Sequence, residues 1–164
     1  MDPDEIQTLD GSLFGEGQPC FGCGPEHPFG FRLRCERLPD GDGVTSRLTP
    51  DERYQGPPGI MHGGLVMALA DELGAWAVIA KHGCFGFTAD FRGRLHHPVR
   101  IGHEAEGTAR VLDSNGRIVR VGVRIEQGEH LAYSGELRFV MVDRRGAERV
   151  LGAELPPGWE RFAL

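Results

Sequence analysis

The chain has 164 residues, of which 40% are hydrophobic and 26% are charged, a composition typical of one folded domain with its own core. Its formal net charge is −6, whereas general binders of nucleic acid or anionic membranes are usually basic. We therefore expect neither nucleic acid nor a membrane as a partner. The acidic start of the chain lacks the apolar segment of a signal peptide, which predicts a cytoplasmic protein.

Residues 1–30 are predicted to form an N-terminal arm, loose over residues 1–19, that ends in a cysteine-containing loop. The loop CFGCGPEHPFG has Gly or Pro at nearly every other position. Cys20 and Cys23 form a CxxC pair that His27 extends, but a structural zinc site needs a fourth ligand, and none is apparent. A redox pair would lie between a strand and a helix, unlike this one. We expect a tight turn with small buried thiols, and no metal.

The first strands and the helix follow this loop. The segment FRLRCERL alternates, with Phe31, Leu33 and Cys35 on one face, and PDGDG predicts a hairpin turn before a returning strand at 44–48. An alanine- and leucine-rich helix is predicted from residue 63 to residue 81, with Gly83 as its end. This helix is expected to be buried in the core rather than to span a membrane, because acidic residues interrupt its apolar run.

Four strands are predicted after the helix, and they complete an α+β fold. The first of them places alternate residues on one face, namely Phe85, Phe87, Ala89, Phe91, Gly93 and Leu95. The others lie within 103–113, 117–127 and 130–142, with turns at 114–116 and 127–129. About six antiparallel strands must curl around the one helix to bury it. Residues 31–142 form this unit, and the tail at 143–164 belongs to the same domain.

The stretch GIMHGGLVMALADELGAW contains two features that are unusual in a core helix. Gly63 and Gly64 open the helix, where unpaired amides can polarise a carbonyl oxygen, and His62 is placed to cap the helix or shape the loop. Asp71 has small apolar neighbours one turn away and is the candidate base, while Glu72 points about 100° away, toward a solvent edge. The alternative is that the acids form the polar edge of an ordinary helix and that HGG is a turn.

Several other side chains allow two interpretations. Arg92, Arg94 and Arg100 can contact the phosphates of a ligand, or can form a solvated face of their strand. The His96-His97-Pro98 segment is interpreted as a polar strand end, and Trp76 as a core residue rather than part of a pocket.

The segments QGPPGIMHGGLVMALADE and GFTADFRGRLHHPV resemble hotdog-fold thioesterases of the phenylacetate-pathway type, and the leader CFGCGPEHPFGFRLR resembles one branch of that superfamily. The resemblance implies hydrolysis of acyl-CoA thioesters, with coenzyme A as part of the substrate and no other cofactor. It also implies a homodimer or homotetramer whose active sites lie at a dimer interface.

The resemblance also implies roles for individual residues. The backbone of Gly63 and Gly64 polarises the thioester carbonyl, Asp71 is the general base or nucleophile, and Thr88 helps to hold the attacking water. Several relatives have an asparagine six residues before the histidine, where this chain has Gly56, with Gln55 beside it. Gln55 carries the same amide group from the adjacent position.

Two other functions remain open from the sequence. A hotdog enoyl-CoA hydratase or dehydratase would pair an acid with a proton-transferring histidine, for which His62 is the candidate. A non-catalytic acyl-CoA-binding module would keep the pocket without a working carboxylate, which the presence of Asp71 counts against.

Overall fold

A long helix lies against an antiparallel sheet, as the sequence predicts. The computed structural model describes residues 8–164, so residues 1–7 of the predicted arm lie outside the described residues. The described strands are β1 Thr8–Leu9, β2 Cys35–Arg37, β3 Gly43–Leu48, β4 Gly86–Leu95, β5 Ala105–Asn115, β6 Ile118–Gln127 and β7 His130–Met141. The helices are α1 Gly63–His82, α2 Arg144–Leu151 and α3 Pro157–Glu160. The sheet order is β1-β2-β3-β5-β6-β7-β4, which makes seven strands in the described chain rather than six.

Helix α1 forms the centre of the hydrophobic core. His62 caps its start, and Gly83, at φ 68°, ends it in the left-handed conformation that glycine adopts most easily. A Cβ atom on Gly74 would lie 2.9 Å from the Phe139 ring, so the absence of a side chain lets α1 approach the sheet closely. Helix α1 is long and apolar enough to cross a membrane by composition, but its side chains pack against the sheet. Trp76 is 1% exposed, which confirms its interpretation as a core residue.

Strand β4 forms one end of the sheet and carries a β-bulge. It pairs with β7, and the register shifts between Thr88 and Asp90, which leaves Ala89 as the extra residue. Thr88 and Phe91 lie opposite the buried residues Phe139 and Leu137, so both face the helix although they are three positions apart. The prediction of one continuous core face from Phe85 to Leu95 is therefore wrong. Much of the strand is exposed in the single chain, because no strand covers its outer edge among the described residues.

The predicted first strand is shorter than its sequence pattern. Only Cys35–Arg37 forms a strand of the sheet, and Arg32, three residues earlier, has a left-handed φ of 51° that a strand does not allow. Phe31, Leu33 and Cys35 are nevertheless all buried, so their predicted shared burial is confirmed.

Both ends of the described chain are more ordered than predicted. The 3-10 turn Gly11–Phe14 brings Phe14 against Trp159 of α3, with ring centroids 4.0 Å apart, and against Trp76 of α1. The prediction of a loose arm is therefore wrong for residues 8–14. The tail forms α2 and α3 and closes this end of the core.

Candidate active site

The start of α1 offers one free backbone donor. The Gly64 N–H donates to His62 Nδ1 at 3.0 Å, which confirms capping by His62. The Gly63 N–H has no acceptor among residues 8–164. The sequence assigns both glycine amides to carbonyl binding, but in this structure the His62 side chain occupies the amide of Gly64. Gly63 is therefore the available donor.

Asp71 lies two turns further along α1 and is held by a hydroxyl from β4. Thr88 Oγ1 donates to Asp71 Oδ1 at 2.6 Å. Asp71 is half-buried, and Thr88 is exposed at the open edge of the sheet. The bulge at Ala89 contributes to this contact because it turns Thr88 to the helix side of the strand. The structure thus brings together the predicted pair of Asp71 and Thr88, with one carboxylate oxygen of Asp71 left free of this bond.

A buried tyrosine near Asp71 was not anticipated from the sequence. The Tyr133 hydroxyl has no hydrogen-bond partner in the described chain. Its ring lies across the facing residues Gly93 and Gly135, where a Cβ atom on either would overlap the hydroxyl. Burial, with a further contribution from the Asp71 charge, raises the pKa of Tyr133 to about 12. The alternation of β7 predicts a buried residue here, but only the strand register reveals the two glycines beneath it.

Glu72 is not at a solvent edge, contrary to the prediction from the helical angle. It is half-buried, and its carboxylate accepts a hydrogen bond from Trp76 Nε1 at 2.9 Å. Its other oxygen lies 3.7 Å from Cys20 Sγ. Burial, together with the nearby negative charges of Cys20 and Asp71, raises the pKa of Glu72 to about 7. The CxxC loop covers this side of α1, and no local sequence pattern indicates that loop's position.

Gln55 does not reach the carboxylate site. Its Oε1 accepts from the Gly59 N–H at 2.6 Å, and its Nε2 donates to the Glu52 carbonyl at 3.4 Å, so the amide is engaged within its own loop. Gly56 lies against His62, and a Cβ atom at position 56 would be 3.1 Å from His62 Cα. The structure therefore leaves Gly56 beside the helix start but does not direct Gln55 toward Asp71.

The predicted arginines lie away from the helix side of β4. Arg92 and Arg94 are exposed opposite Glu136 and Ser134, on the face that alternates with the buried residues of the strand. Arg100 is also exposed, and its backbone pairs with Ile60 beside the loop that leads into α1. This placement agrees with a solvated face for Arg92 and Arg94, and phosphate binding stays a prediction.

A mainly apolar groove of about 340 Å³ lies at the start of α1. The residues that line it include Ile60, Met61, Gly63, Val66, Leu95 and His96. A larger depression of about 770 Å³ lies at the other end of α1 and contains none of the predicted site residues. The groove at the helix start is therefore the better candidate for an acyl or thioester group, because the free Gly63 amide borders it.

The two halves of the candidate site are far apart within one chain. Gly63 and Asp71 are eight positions apart on one continuous helix, which corresponds to about 12 Å along the axis. A carbonyl bound at Gly63 is therefore beyond the ~3–3.5 Å that direct attack by the Asp71 carboxylate of the same chain requires.

Comparison with known proteins identifies the fold. A model of the thioesterase superfamily matches residues 58–133. The solved structure of a thioesterase superfamily protein is 29% identical with a TM-score of 0.68, and the match covers 74% of this chain and 60% of that protein. A thioesterase from Haemophilus influenzae is 22% identical with a TM-score of 0.60, covering 67% of this chain and 78% of that one. Thioesterase superfamily member 2 from Mus musculus is 20% identical with a TM-score of 0.57, and the match covers 61% of this chain and 75% of that one.

The chain thus spans less than two thirds of the first of these proteins. A search of the curated proteins finds no match. The family match begins just before α1 and continues into β7, so it includes the helix start, Asp71 and Thr88. The likenesses below 25% identity concern the fold alone, and they agree with the order of helix and strands described above. Residues 58–133 of the chain thus match the thioesterase superfamily, and the chain has the hotdog fold.

Proposed function

We propose that this protein hydrolyses acyl-CoA thioesters. The observation that carries the proposal is the hydrogen bond from Thr88 to Asp71, which fixes a carboxylate on α1 at the open edge of the sheet. A carboxylate held in this way can accept a proton from water through the oxygen that Thr88 does not bond. The match of residues 58–133 to the thioesterase superfamily supports the general reaction, and the sequence motif supports coenzyme A as the carrier. The phenylacetate-pathway subtype stays a prediction from that motif.

In the proposed reaction, the Gly63 N–H binds the thioester carbonyl oxygen at the start of α1. Asp71 takes a proton from a water molecule, whose oxygen attacks the carbonyl carbon, and the negative charge on the carbonyl oxygen is stabilised by the amide. The tetrahedral intermediate then collapses, the carbon–sulfur bond breaks, and the proton passes to the departing thiolate. The products are the free acid and coenzyme A. The apolar groove beside Gly63 is the proposed acyl site.

A homodimer would supply both groups to one substrate. Gly63 lies near the Leu95 end of β4, since a Cβ atom on Gly63 would be 3.1 Å from Leu95 Cδ1, whereas Asp71 bonds Thr88 near the other end. If two copies pair antiparallel through their open β4 edges, the Leu95 end of one strand lies beside the Thr88 end of its partner. The Gly63 amide of one copy then approaches Asp71 of the other. This pairing also covers Leu95, which is 50% exposed in the single chain.

The two other functions are less well supported by the site. A hydratase or dehydratase needs a histidine that is free to move a proton, but His62 Nδ1 is engaged by the Gly64 amide. A binding module needs no carboxylate at the open edge of the sheet, whereas Asp71 lies there with one oxygen free of its bond to Thr88. We therefore propose thioester hydrolysis ahead of both.

The test is thiol release from a panel of acyl-CoAs with aryl, short-chain and long-chain acyl groups. We expect turnover of at least one member, and a loss on the order of 10²-fold or more in Asp71→Asn, which keeps the shape but removes the base. Asp113→Asn is the matched control, because Asp113 is an exposed carboxylate paired with Arg120. Tight binding without thiol release would indicate a binding module, and hydration of an enoyl-CoA without thiol release would indicate a hydratase. Either result would refute the proposal.

A further inference from the structure

We propose that Cys20, Cys23 and Glu72 bind a zinc ion that fastens the N-terminal loop to α1. One ligand atom from each of the three residues lies within 4.8 Å of the other two. The CxxC pair alone is an incomplete set of ligands, and the sequence therefore predicts no metal. The structure adds a third donor from a helix about fifty positions further along the chain. This site is separate from the proposed hydrolysis and does not depend on it.

The spacing of the three donors suits zinc. With Zn–S bonds of about 2.3 Å and Zn–O bonds of about 2.0 Å, tetrahedral geometry places a sulfur and an oxygen ligand about 3.5 Å apart. Cys20 Sγ and Glu72 Oε2 are 3.7 Å apart. Two thiolates and one carboxylate are ligand types that zinc accepts, and water can complete the fourth position because Cys20 is not fully buried.

The loop brings the two cysteines together in a tight turn. The Gly24 N–H donates to the Cys20 carbonyl at 2.9 Å, which closes the turn over Cys23. Both cysteines are free of disulfide bonds, so both sulfur atoms are available as ligands.

Glu72 is oriented toward the loop by specific packing. A Cβ atom on Gly22 would overlap the Glu72 carboxylate, so only glycine at this position admits the carboxylate beneath the loop. Trp76 Nε1 donates to Oε1, which leaves Oε2 on the side of Cys20. Buried carboxylates are usually paired with a cation or coordinate a metal, and the described contacts of the half-buried Glu72 include no cation.

Other nearby donors do not complete the same cluster. His27 Nδ1 accepts from the Phe29 N–H at 3.2 Å, and its ring packs against Phe21, so His27 is engaged within its own loop. Cys35 is fully buried on β2 and is not within the cluster. The expected role of the metal is structural, because it would join the loop before β2 to the middle of α1, one residue from Asp71.

The experiment measures zinc in the full-length protein, purified under reductant and without chelator. We expect about one zinc per chain in the parent protein and in the control Cys84→Ala, which removes a buried thiol elsewhere. Cys20→Ala, Cys23→Ala and the near-isosteric Glu72→Gln should each lose most of it. After replacement of zinc by Co²⁺, the parent should show a thiolate-to-cobalt charge-transfer band, and Cys20→Ala should weaken it strongly.

Thermal unfolding provides a second readout, which compares the parent protein with two variants. A chelator should lower the unfolding temperature of the parent and of Cys84→Ala, while leaving that of Glu72→Gln unchanged. The proposal is overturned if the reduced parent binds neither zinc nor Co²⁺, or if the charge-transfer band persists in Cys20→Ala. It is also overturned if Cys20 and Cys23 are found joined as a disulfide in protein kept under reductant.

Discussion

Replacing Gly63 by proline removes the proposed carbonyl-binding donor with little disturbance of the fold. Gly63 is the first residue of α1, and proline is well tolerated at this position because its fixed φ suits the first turn. His62, at φ −58° and ψ 130°, already has the backbone conformation preferred before proline. Gly63→Ala is the matched control, since it adds a Cβ atom near the half-exposed Leu95 side chain but keeps the N–H.

The expected effect is large on catalysis and small on stability. Loss of one donor to a developing oxyanion typically lowers kcat by about 10²- to 10³-fold, which corresponds to about 2.7–4 kcal/mol. Gly63→Ala should stay within roughly tenfold of the parent, because a flexible Leu95 end can move by a few tenths of an ångström. Thiol release from the best acyl-CoA of the panel gives kcat, and thermal unfolding verifies that both variants are folded.

Mixing two inactive variants tests whether one site uses two chains. Gly63→Pro retains Asp71, and Asp71→Asn retains the Gly63 amide, so a mixed dimer has one site in which both groups are intact. Equal amounts that exchange subunits at random give about half mixed dimers, each with one working site of two, and hence about a quarter of the parent activity. No recovery after verified subunit exchange would refute the two-chain site, and full activity of Gly63→Pro alone would refute the role of the amide.

Three further variants probe the surroundings of the site. Thr88→Val should lower kcat by about 10- to 100-fold because a hydrogen bond to a charged group is lost, whereas Thr88→Ser should keep most activity in the same thiol-release assay. Tyr133→Phe should raise the free energy of unfolding by ~1 kcal/mol, since the removed hydroxyl is buried without a partner; denaturant unfolding of both proteins checks this, and a destabilised variant would contradict it. Glu72→Gln, with metal removed by a chelator, should be more stable than the parent at pH 8 by up to ~3 kcal/mol. The folded-state pKa of Glu72 is raised, so the parent loses stability as the pH rises from about 4.5 to about 7, and thermal unfolding across this range should show the two proteins converging at low pH.

The central part of the fold could be predicted because its signals are local. These signals are the glycines and small residues of α1, the left-handed Gly83 that ends it, and the turns between the last three strands. Each of them sets the local structure of only a few neighbouring residues. Capping by His62 follows from its place immediately before the helix. These signals, with the HGG and Asp71 pattern, were sufficient to locate the helix and the candidate site.

The missed features depend on contacts between distant parts of the chain. Strict alternation gives Thr88 the opposite face from Phe91, and only the pairing of β4 with β7 shows that Ala89 is an extra residue. The buried position of Tyr133 over two glycines likewise depends on register. The tail does carry local helix signals, since Asp143 caps α2 by accepting from the Gly146 N–H at 2.7 Å and Gly152 ends the helix. Its charged sequence, with only Ala147 buried, hides this helix from a search for apolar periodicity.

The adjacent acids of α1 serve two different elements of the fold. Successive helical residues point about 100° apart, so Asp71 faces Thr88 on β4 while Glu72 faces the CxxC loop. Two carboxylates in one apolar helix would each be costly without a partner, but Thr88 supplies one hydrogen bond and Trp76 supplies the other. The pair therefore joins a proposed catalytic group to a proposed metal ligand across one peptide bond.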